Sequence, residues 1–120
     1  MIVRIWRGWT HRSNADRYEE ILLGQVIPGI QAIGVPGFQE IQLLRREAPD
    51  SEVEFTTLMW FDSLEAVKAF AGEEYELAHV PEEARAVLLR FDSRVAHHEL
   101  RAIRSGDGHV EPPEVIQRPD

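Results

Sequence analysis

The histidines are the clearest candidates for chemistry in this chain, because a neutral imidazole can take up a proton or bind a metal near neutral pH. His79 follows a short predicted helix and precedes Pro81. If its side chain reaches a cavity it can act as a base; at the surface it is an ordinary hydrogen-bonded residue. His97 and His98 are neighbours on a predicted strand, so their side chains point to opposite faces. They cannot both bind one metal ion, and we predict no metal site.

Aromatic side chains are the second set of candidates, because flat rings can enclose a flat substrate. Trp6, Trp9 and Trp60 could line an apolar pocket, where an indole N–H can orient a polar substituent. Phe70 and Tyr75 favour the same interpretation, and the Tyr75 phenol could donate a hydrogen bond to a developing oxyanion. For all of them the alternative is a place in the core or in an interface.

Composition argues against several classes of protein. The formal net charge is −8, which disfavours binding to phosphate backbones and to anionic lipid surfaces. The chain has no cysteine, so it has no disulfide, thiolate nucleophile or iron–sulfur cluster. Arg4 and Arg7 interrupt the first apolar residues, and no apolar run is long enough to span a membrane. We expect a cytoplasmic protein that binds neither nucleic acid nor membrane.

The elements that must position these residues follow from the hydrophobic periodicity of a chain long enough for one domain. The predicted strands are residues 2–9, 38–46, 52–61 and 93–103, and the predicted helical segments are residues 15–33, 63–71 and 82–90. Pro28 and Gly29 interrupt the first helix, where we expect a kink. The order is β-α-β-β-α-β, which predicts an α+β fold of the ferredoxin-like type with an antiparallel four-stranded sheet.

Such a sheet, covered by helices on one face, leaves its other face in need of a partner. No remaining element is long enough to cover that face, so we predict a homodimer in which two sheets pack together. Residues 104–120 are rich in glycine and proline and show no periodicity. We predict that the domain spans residues 1–103 and that residues 104–120 are an extension that lies as an arm on a partner subunit.

Several short segments carry a resemblance to a known family. They are Ile2-Val3-Arg4-Ile5-Trp6-Arg7-Gly8, Pro36-Gly37, Leu58-Met59-Trp60-Phe61-Asp62-Ser63-Leu64-Glu65-Ala66, Phe70-Ala71-Gly72-Glu73 and Val95-Ala96-His97-His98-Glu99-Leu100. In this order the segments resemble small proteins of the antibiotic biosynthesis monooxygenase family, over residues 1–103.

The resemblance implies a dimeric α+β barrel with a cavity between sheet and helices in each subunit. The family includes cofactor-independent oxygenases of aromatic polyketides, haem-degrading enzymes and quinol oxygenases. The haem-degrading members place an iron-ligating histidine where this chain has His79. They also use an asparagine on the first strand and a tryptophan on the helix, where this chain has Trp6 and Phe70. The resemblance therefore favours a protein without a cofactor, with haem or flavin as open alternatives.

Residues and resemblance together predict cofactor-independent oxygenation of a small aromatic substrate, such as a quinol or an anthrone. His79 would be the catalytic base, and Arg4 would stabilise the oxyanion. The residues predicted to bind the substrate are Trp6, Trp60, Phe70 and Tyr75. The alternative function is a non-catalytic, ligand-binding or stress-related dimer of the same fold, and a haem-binding relative is a third.

Overall fold

The polypeptide forms an antiparallel sheet with helices packed against one face, in a computed structural model that describes residues 1–112. The strands are β1 (Ile2–His11), β2 (Phe38–Ala48), β3 (Glu52–Phe61), β4 (Arg90–Phe91) and β5 (Ala96–Glu99). The helices are α1 (Arg12–Ile21), α2 (Ile27–Ile33), α3 (Leu64–Ala71) and α4 (Glu82–Arg85), with a π-helical turn at Leu22–Val26 between α1 and α2.

The strand order confirms the ferredoxin-like arrangement. β3 lies between β2 and β1, and both β4 and β5 pair with the other edge of β1. Every pairing is antiparallel, and β1 and β3 are in register from Ile2 opposite Phe61 to His11 opposite Glu52. The α+β class and the antiparallel sheet predicted from the sequence are therefore correct.

The predicted last strand, residues 93–103, is wrong in its bounds, and the sheet has five strands rather than four. β4 and β5 are two short strands, because the chain between them leaves β1. There the backbone pairs with the loop after α3: the Val95 N–H donates to the Glu76 carbonyl at 2.7 Å, and the Ala78 N–H donates to the Ser93 carbonyl at 3.0 Å. This loop therefore replaces β1 as the partner of residues 93–95.

The helical segment predicted at residues 82–90 is also shorter than expected. α4 ends at Arg85, after which the N–H groups of Val87 and Leu88 donate to carbonyls three residues back. The Leu89 N–H then donates to the Trp9 carbonyl at 2.8 Å. Pairing with the edge of β1 draws the chain out of the helix and into β4.

The interruption expected in the first helix takes the form of a wide turn. The Ile27 N–H donates to the Leu22 carbonyl, five residues back. Pro28, in the first turn of α2, has no N–H to give to the Gly24 carbonyl, its partner in a regular α-helix. The helix therefore continues through a π-turn, a feature that often occurs at functional sites.

Two apolar clusters hold the helices on the sheet. Under α1, Tyr18 packs its ring edge on Phe55 of β3, with ring centroids 4.8 Å apart. Under α3, Val67 packs on Met59 and Phe61 of β3. Alternation along β3 explains this division, because its odd-numbered residues face the helices and its even-numbered residues face the opposite side.

The described part of the extension forms a local turn. Residues 104–110 form a turn in which the Ser105 N–H donates to the His109 carbonyl at 2.8 Å. Residues 113–120 lie outside the described residues, so the predicted arm on a partner subunit stays a prediction. In residues 1–112, no helix combines the length and the apolar character needed to cross a bilayer.

Candidate functional site

A cavity of about 110 Å³ lies between the sheet and the helices, lined by members of both apolar clusters. Strand alternation places Arg4 and Trp6 of β1 on its wall, and α3 contributes Phe70. Further wall residues come from β2, β3 and the first helical region: Ile41, Thr57, Met59, Tyr18, Leu22, Val26, Ile27 and Ile30. The wall is therefore mostly apolar, with a few polar groups inside it, which is the usual composition of a small-molecule site.

Arg4 is the charged group of this cavity, and it is only 7% exposed. Its Nη1 donates to the Tyr75 carbonyl at 2.6 Å and to Nε2 of His97 at 3.0 Å. Its guanidinium carbon lies 5.7 Å from the centre of the Phe70 ring. Within residues 1–112 no carboxylate forms an ion pair with it, and burial lowers the pKa of Arg4 to about 10. The site therefore holds a buried positive charge without an anionic partner.

His97 was a candidate in the sequence, but its contact with Arg4 was not predicted. A guanidinium can only donate, so Nε2 of His97 accepts and the imidazole carries its proton on Nδ1. Burial lowers the pKa of His97 from its ordinary value, and the positive charge of Arg4 lowers it further. A neutral His97 therefore holds one end of the Arg4 guanidinium.

Tyr18 is also a site residue, although the sequence pattern alone would place it in the core. It is completely buried and lines the cavity, and its hydroxyl has no hydrogen-bond partner among the described residues. Burial raises the pKa of Tyr18, so its phenol stays protonated and can donate. Buried hydroxyls without partners are rare, and one on a cavity wall indicates a place for a ligand oxygen or a water.

His79 lines the cavity at its surface end. It stands in the loop before α4 and is exposed, and no side chain of residues 1–112 forms a hydrogen bond with it. The same loop borders a shallow depression that His79 shares with Pro81 and Arg85. His79 can therefore reach a molecule at the mouth of the cavity, but no neighbouring group fixes its orientation.

Trp6 and Phe70 supply flat apolar wall. The Trp6 indole N–H donates to the Asp92 carbonyl at 2.7 Å, and its ring lies 5.8 Å from that of Phe91. That N–H is already engaged, so Trp6 offers the cavity its ring rather than a donor. Phe70 stacks on Phe61 with ring centroids 5.7 Å apart.

Trp60 and Tyr75, predicted as substrate-binding residues, lie outside the cavity lining. Trp60 is on the opposite face of the sheet, where its indole N–H donates to Oε1 of Gln42 at 2.8 Å. The Tyr75 ring lies edge-on to that of His97, at a centroid distance of 5.2 Å. Of the six predicted site residues, the structure therefore brings Arg4, Trp6, Phe70 and His79 together; the two others lie elsewhere.

Solved structures resemble this chain in fold. A Bacillus cereus protein provisionally assigned as an antibiotic biosynthesis monooxygenase superposes with a TM-score of 0.60, covering 88% of this chain and 97% of its own, at 15% identity. A monooxygenase from the gene ActVA-Orf6 of Streptomyces coelicolor, in complex with nanaomycin D, gives a TM-score of 0.57 over 92% and 91%, at 17% identity. This chain has the fold of these monooxygenases.

A third similar structure, an ethyl tert-butyl ether d (ethd) family protein from Bacillus halodurans, has a TM-score of 0.50, with 84% of this chain and 100% of that chain covered at 13% identity. No protein-family model matches the sequence, and no curated protein matches it. The resemblance to antibiotic biosynthesis monooxygenases is therefore confirmed for the fold. At such low identity the likeness extends no further than the fold.

The space inside the site limits what it could hold. A porphyrin is several times larger than a benzene ring, and an apolar cavity of roughly 150 Å³ is filled by one benzene. The cavity here measures about 110 Å³, so its enclosed part is smaller than a porphyrin. Among residues 1–112, no group of three or more His, Cys, Asp or Glu side chains is arranged to hold a metal ion.

Proposed function

We propose that this protein is an antibiotic biosynthesis monooxygenase-like enzyme that oxygenates a small, electron-rich aromatic substrate of the single-ring quinol type without a cofactor. The observation that carries the proposal is the buried guanidinium of Arg4, which has no carboxylate partner in residues 1–112 and lies in a mostly apolar cavity. A positive charge held there would stabilise an oxygen that becomes negative during the reaction. The fold shared with the two monooxygenases supports the same reaction class.

The chemistry begins with removal of a proton from the substrate. His79 would take this proton at the mouth of the cavity, and Arg4 would stabilise the resulting phenolate or enolate. The electron-rich anion then reduces molecular oxygen, and a carbon–oxygen bond forms. Loss of water from this adduct leaves one oxygen atom in the product as a carbonyl and releases the other as water. Substrate and oxygen together supply all the electrons, so the balance needs no further reductant.

The cavity wall contributes by excluding water. Trp6 of β1 and Phe70 of α3 provide flat apolar surfaces, and Met59 of β3 adds to them. An apolar enclosure strengthens the interaction between Arg4 and a developing anion, because little solvent screens it.

Oxygen uptake by metal-free protein is the direct test. The protein is treated with chelator, and dissolved oxygen is followed after addition of single-ring quinols and of anthrone. We expect quinol-dependent uptake with formation of a hydroxylated quinone, which keeps one oxygen atom of O2 while the other leaves as water, and no turnover of the three-ring anthrone. Absence of uptake across the panel would contradict the proposed function.

A non-catalytic binding protein of the same fold is the second candidate. The observation that favours it is that His79 is exposed and has no hydrogen bond from any described residue to orient it. Catalytic bases are normally held in place by a second group. Saturable binding of quinols without oxygen consumption would support this candidate over the oxygenase.

We also propose that the protein is a homodimer, with the cytoplasm as its expected compartment. The sheet face opposite the helices carries Ile5, Leu58 and Trp60, which are half-buried, and Leu44, which is 51% exposed. The two apolar clusters place α1 and α3 on the other face. A second copy packed on it would bury these side chains. Light scattering coupled to size-exclusion chromatography measures the mass, and a monomer at micromolar concentration would contradict the proposal.

A further inference from the structure

We infer that the ligand of this cavity is a single-ring aromatic carboxylate, with its carboxylate on Arg4 and a polar ring substituent at the Tyr18 hydroxyl. The inference rests on the proposed function and names a ligand class for the same cavity; in such a ligand the carboxylate takes the Arg4 contact that the proposed reaction gives to the phenolate of a quinol. Binding can be measured without any oxygen chemistry, so the two can fail separately.

The hydrogen-bonding pattern of Arg4 favours a carboxylate. Both hydrogen bonds that the side chain makes to the described residues leave from Nη1, to the carbonyl of Tyr75 and to Nε2 of His97. Nε and Nη2 form no hydrogen bond with residues 1–112. These two nitrogens make one edge of the guanidinium fork, and that edge matches the two oxygens of a carboxylate.

The charge balance of the site points the same way. A buried charge without a partner is costly, and an opposite charge on a ligand removes that cost on binding. The acidic residues nearest to this region in the chain, Glu73, Glu74 and Glu76, are all exposed, and Glu76 pairs with Arg94 at 3.2 Å. No residue of the described chain therefore supplies an anion that neutralises the charge of Arg4.

The size of the cavity limits the ring system. One benzene ring occupies an apolar cavity of roughly 150 Å³, and this cavity measures about 110 Å³. A single ring fills it and extends toward the surface at His79, whereas two or three fused rings exceed it.

The Tyr18 hydroxyl adds a second point of recognition. It is fully buried in the cavity wall, and no group of residues 1–112 accepts its hydrogen. Because burial keeps the phenol protonated, it offers a donor to a ring oxygen such as a hydroxyl or carbonyl. A ring that carries both a carboxylate and an oxygen substituent would use both groups.

Calorimetric titration of the full chain at neutral pH tests the inference with benzoate, 4-hydroxybenzoate, 4-hydroxybenzamide and 2-naphthoate. We expect 4-hydroxybenzoate to bind about 10- to 100-fold more tightly than the neutral amide, because only the acid forms a charge-assisted pair with Arg4. The two-ring 2-naphthoate should bind at least about tenfold more weakly than benzoate.

Variants test whether Arg4 and the Tyr18 hydroxyl are the two groups that bind the ligand. Arg4→Met should weaken benzoate by about 10-fold or more, whereas Arg17→Met, at an exposed arginine of α1, should leave it unchanged. Tyr18→Phe should weaken 4-hydroxybenzoate by about 3- to 10-fold and leave benzoate unchanged. If Arg4→Met does not fold, as judged by circular dichroism, two measurements still test the inference. They are the Tyr18→Phe result and the ratio of the affinities for 4-hydroxybenzoate and 4-hydroxybenzamide.

Equal affinity for the acid and the amide, or no binding of any carboxylate at millimolar concentration, would overturn the inference. Tight binding of 2-naphthoate would overturn the size limit. If quinols drive oxygen uptake while carboxylates do not bind, the ligand class is wrong and the proposed function stands. If carboxylates bind but no substrate consumes oxygen, the ligand class stands and the oxygenase proposal fails.

Discussion

Nη1 of Arg4 lies 3.0 Å from Nε2 of His97, on strands β1 and β5 that pair these two residues directly opposite each other. The contact requires a neutral imidazole, because a protonated one would present a second donor to a guanidinium that can only donate. One strand therefore supplies the charge of the site and its neighbour supplies the group that holds it.

The first prediction concerns the pH dependence of stability. Burial and the charge of Arg4 lower the pKa of His97, while nearby Glu76 opposes this shift and His98 adds to it. In the unfolded chain His97 takes up a proton near its ordinary pKa of 6.5. The folded protein resists protonation until a lower pH, so its free energy of unfolding should fall as pH drops below about 6.5 and level off below the folded pKa.

Urea denaturation at several pH values between about 5 and 8 measures this effect. His97→Gln should flatten the dependence in this range, whereas His98→Gln, at the exposed neighbour, should keep it. A His97→Gln protein with the same pH profile as the wild type would contradict the assignment.

The second prediction concerns the Tyr18 hydroxyl. Tyr18→Phe removes a buried donor that has no partner in the described chain and leaves the packing on Phe55 intact. We expect the free energy of unfolding to rise by about 1 kcal/mol, since an unsatisfied buried polar group costs roughly this much. Tyr75→Phe, at a half-buried phenol outside the cavity lining, should change it by less than about 0.5 kcal/mol. A clear loss of stability in Tyr18→Phe would show that the hydroxyl has a partner in solution.

The third prediction concerns the uncovered sheet face. Leu58→Lys places a charge between Ile5 and Gln42, in the middle of the face opposite the helices. A charge buried there without a partner should convert the dimer to a monomer, with little change in the circular dichroism spectrum. Leu77→Lys, at an exposed leucine in the loop after α3, serves as the matched control and should leave the mass unchanged. Equal masses for wild type and Leu58→Lys would place the interface elsewhere.

The fourth prediction separates the roles of His79 and Arg4 in turnover. His79→Gln removes only the proposed base, so kcat should fall by about 100-fold or more with KM little changed. Arg4→Met removes a contact made to the anion both when it binds and when it reacts, so KM should rise and kcat should fall. His109→Gln, a histidine in the extension, is the control for loss of an imidazole. The assignment of the base fails if kcat is unchanged in His79→Gln.

The fold was predictable because local patterns agree with one another. Alternation along β1, the β-branched and aromatic residues of β3, the Ser63 cap of α3, and the Gly72 stop all indicate the same order of elements. The Ser63 hydroxyl accepts a hydrogen bond from the Ala66 N–H at 3.1 Å, as expected for a helix N-cap. The bounds of β4 and β5 were missed, because the loop that competes with β1 for their backbone groups has no periodicity of its own.

The site was only partly predictable, because the sheet face that a residue occupies and the register in which two strands pair both depend on tertiary structure. β3 is apolar on both faces, so the sequence does not distinguish Met59, which lines the cavity, from Trp60, which lies on the opposite side. His97 contacts Arg4 because of the register in which β5 pairs with β1. The sequence alone does not reveal that register. Tyr18 occupies an ordinary apolar position of a helix, and only the packing around it leaves its hydroxyl without a partner.

Oxygen consumption by chelator-treated protein with a single-ring quinol, compared between wild type and Arg4→Met, tests the central claim most directly. We predict steady uptake by the wild type, with a hydroxylated quinone that carries one oxygen atom of O2 as product, and a loss of about 100-fold or more in kcat/KM for Arg4→Met. No uptake by the wild type, or equal uptake by the two proteins, would contradict the claim that the buried guanidinium of Arg4 stabilises the substrate anion during oxygenation.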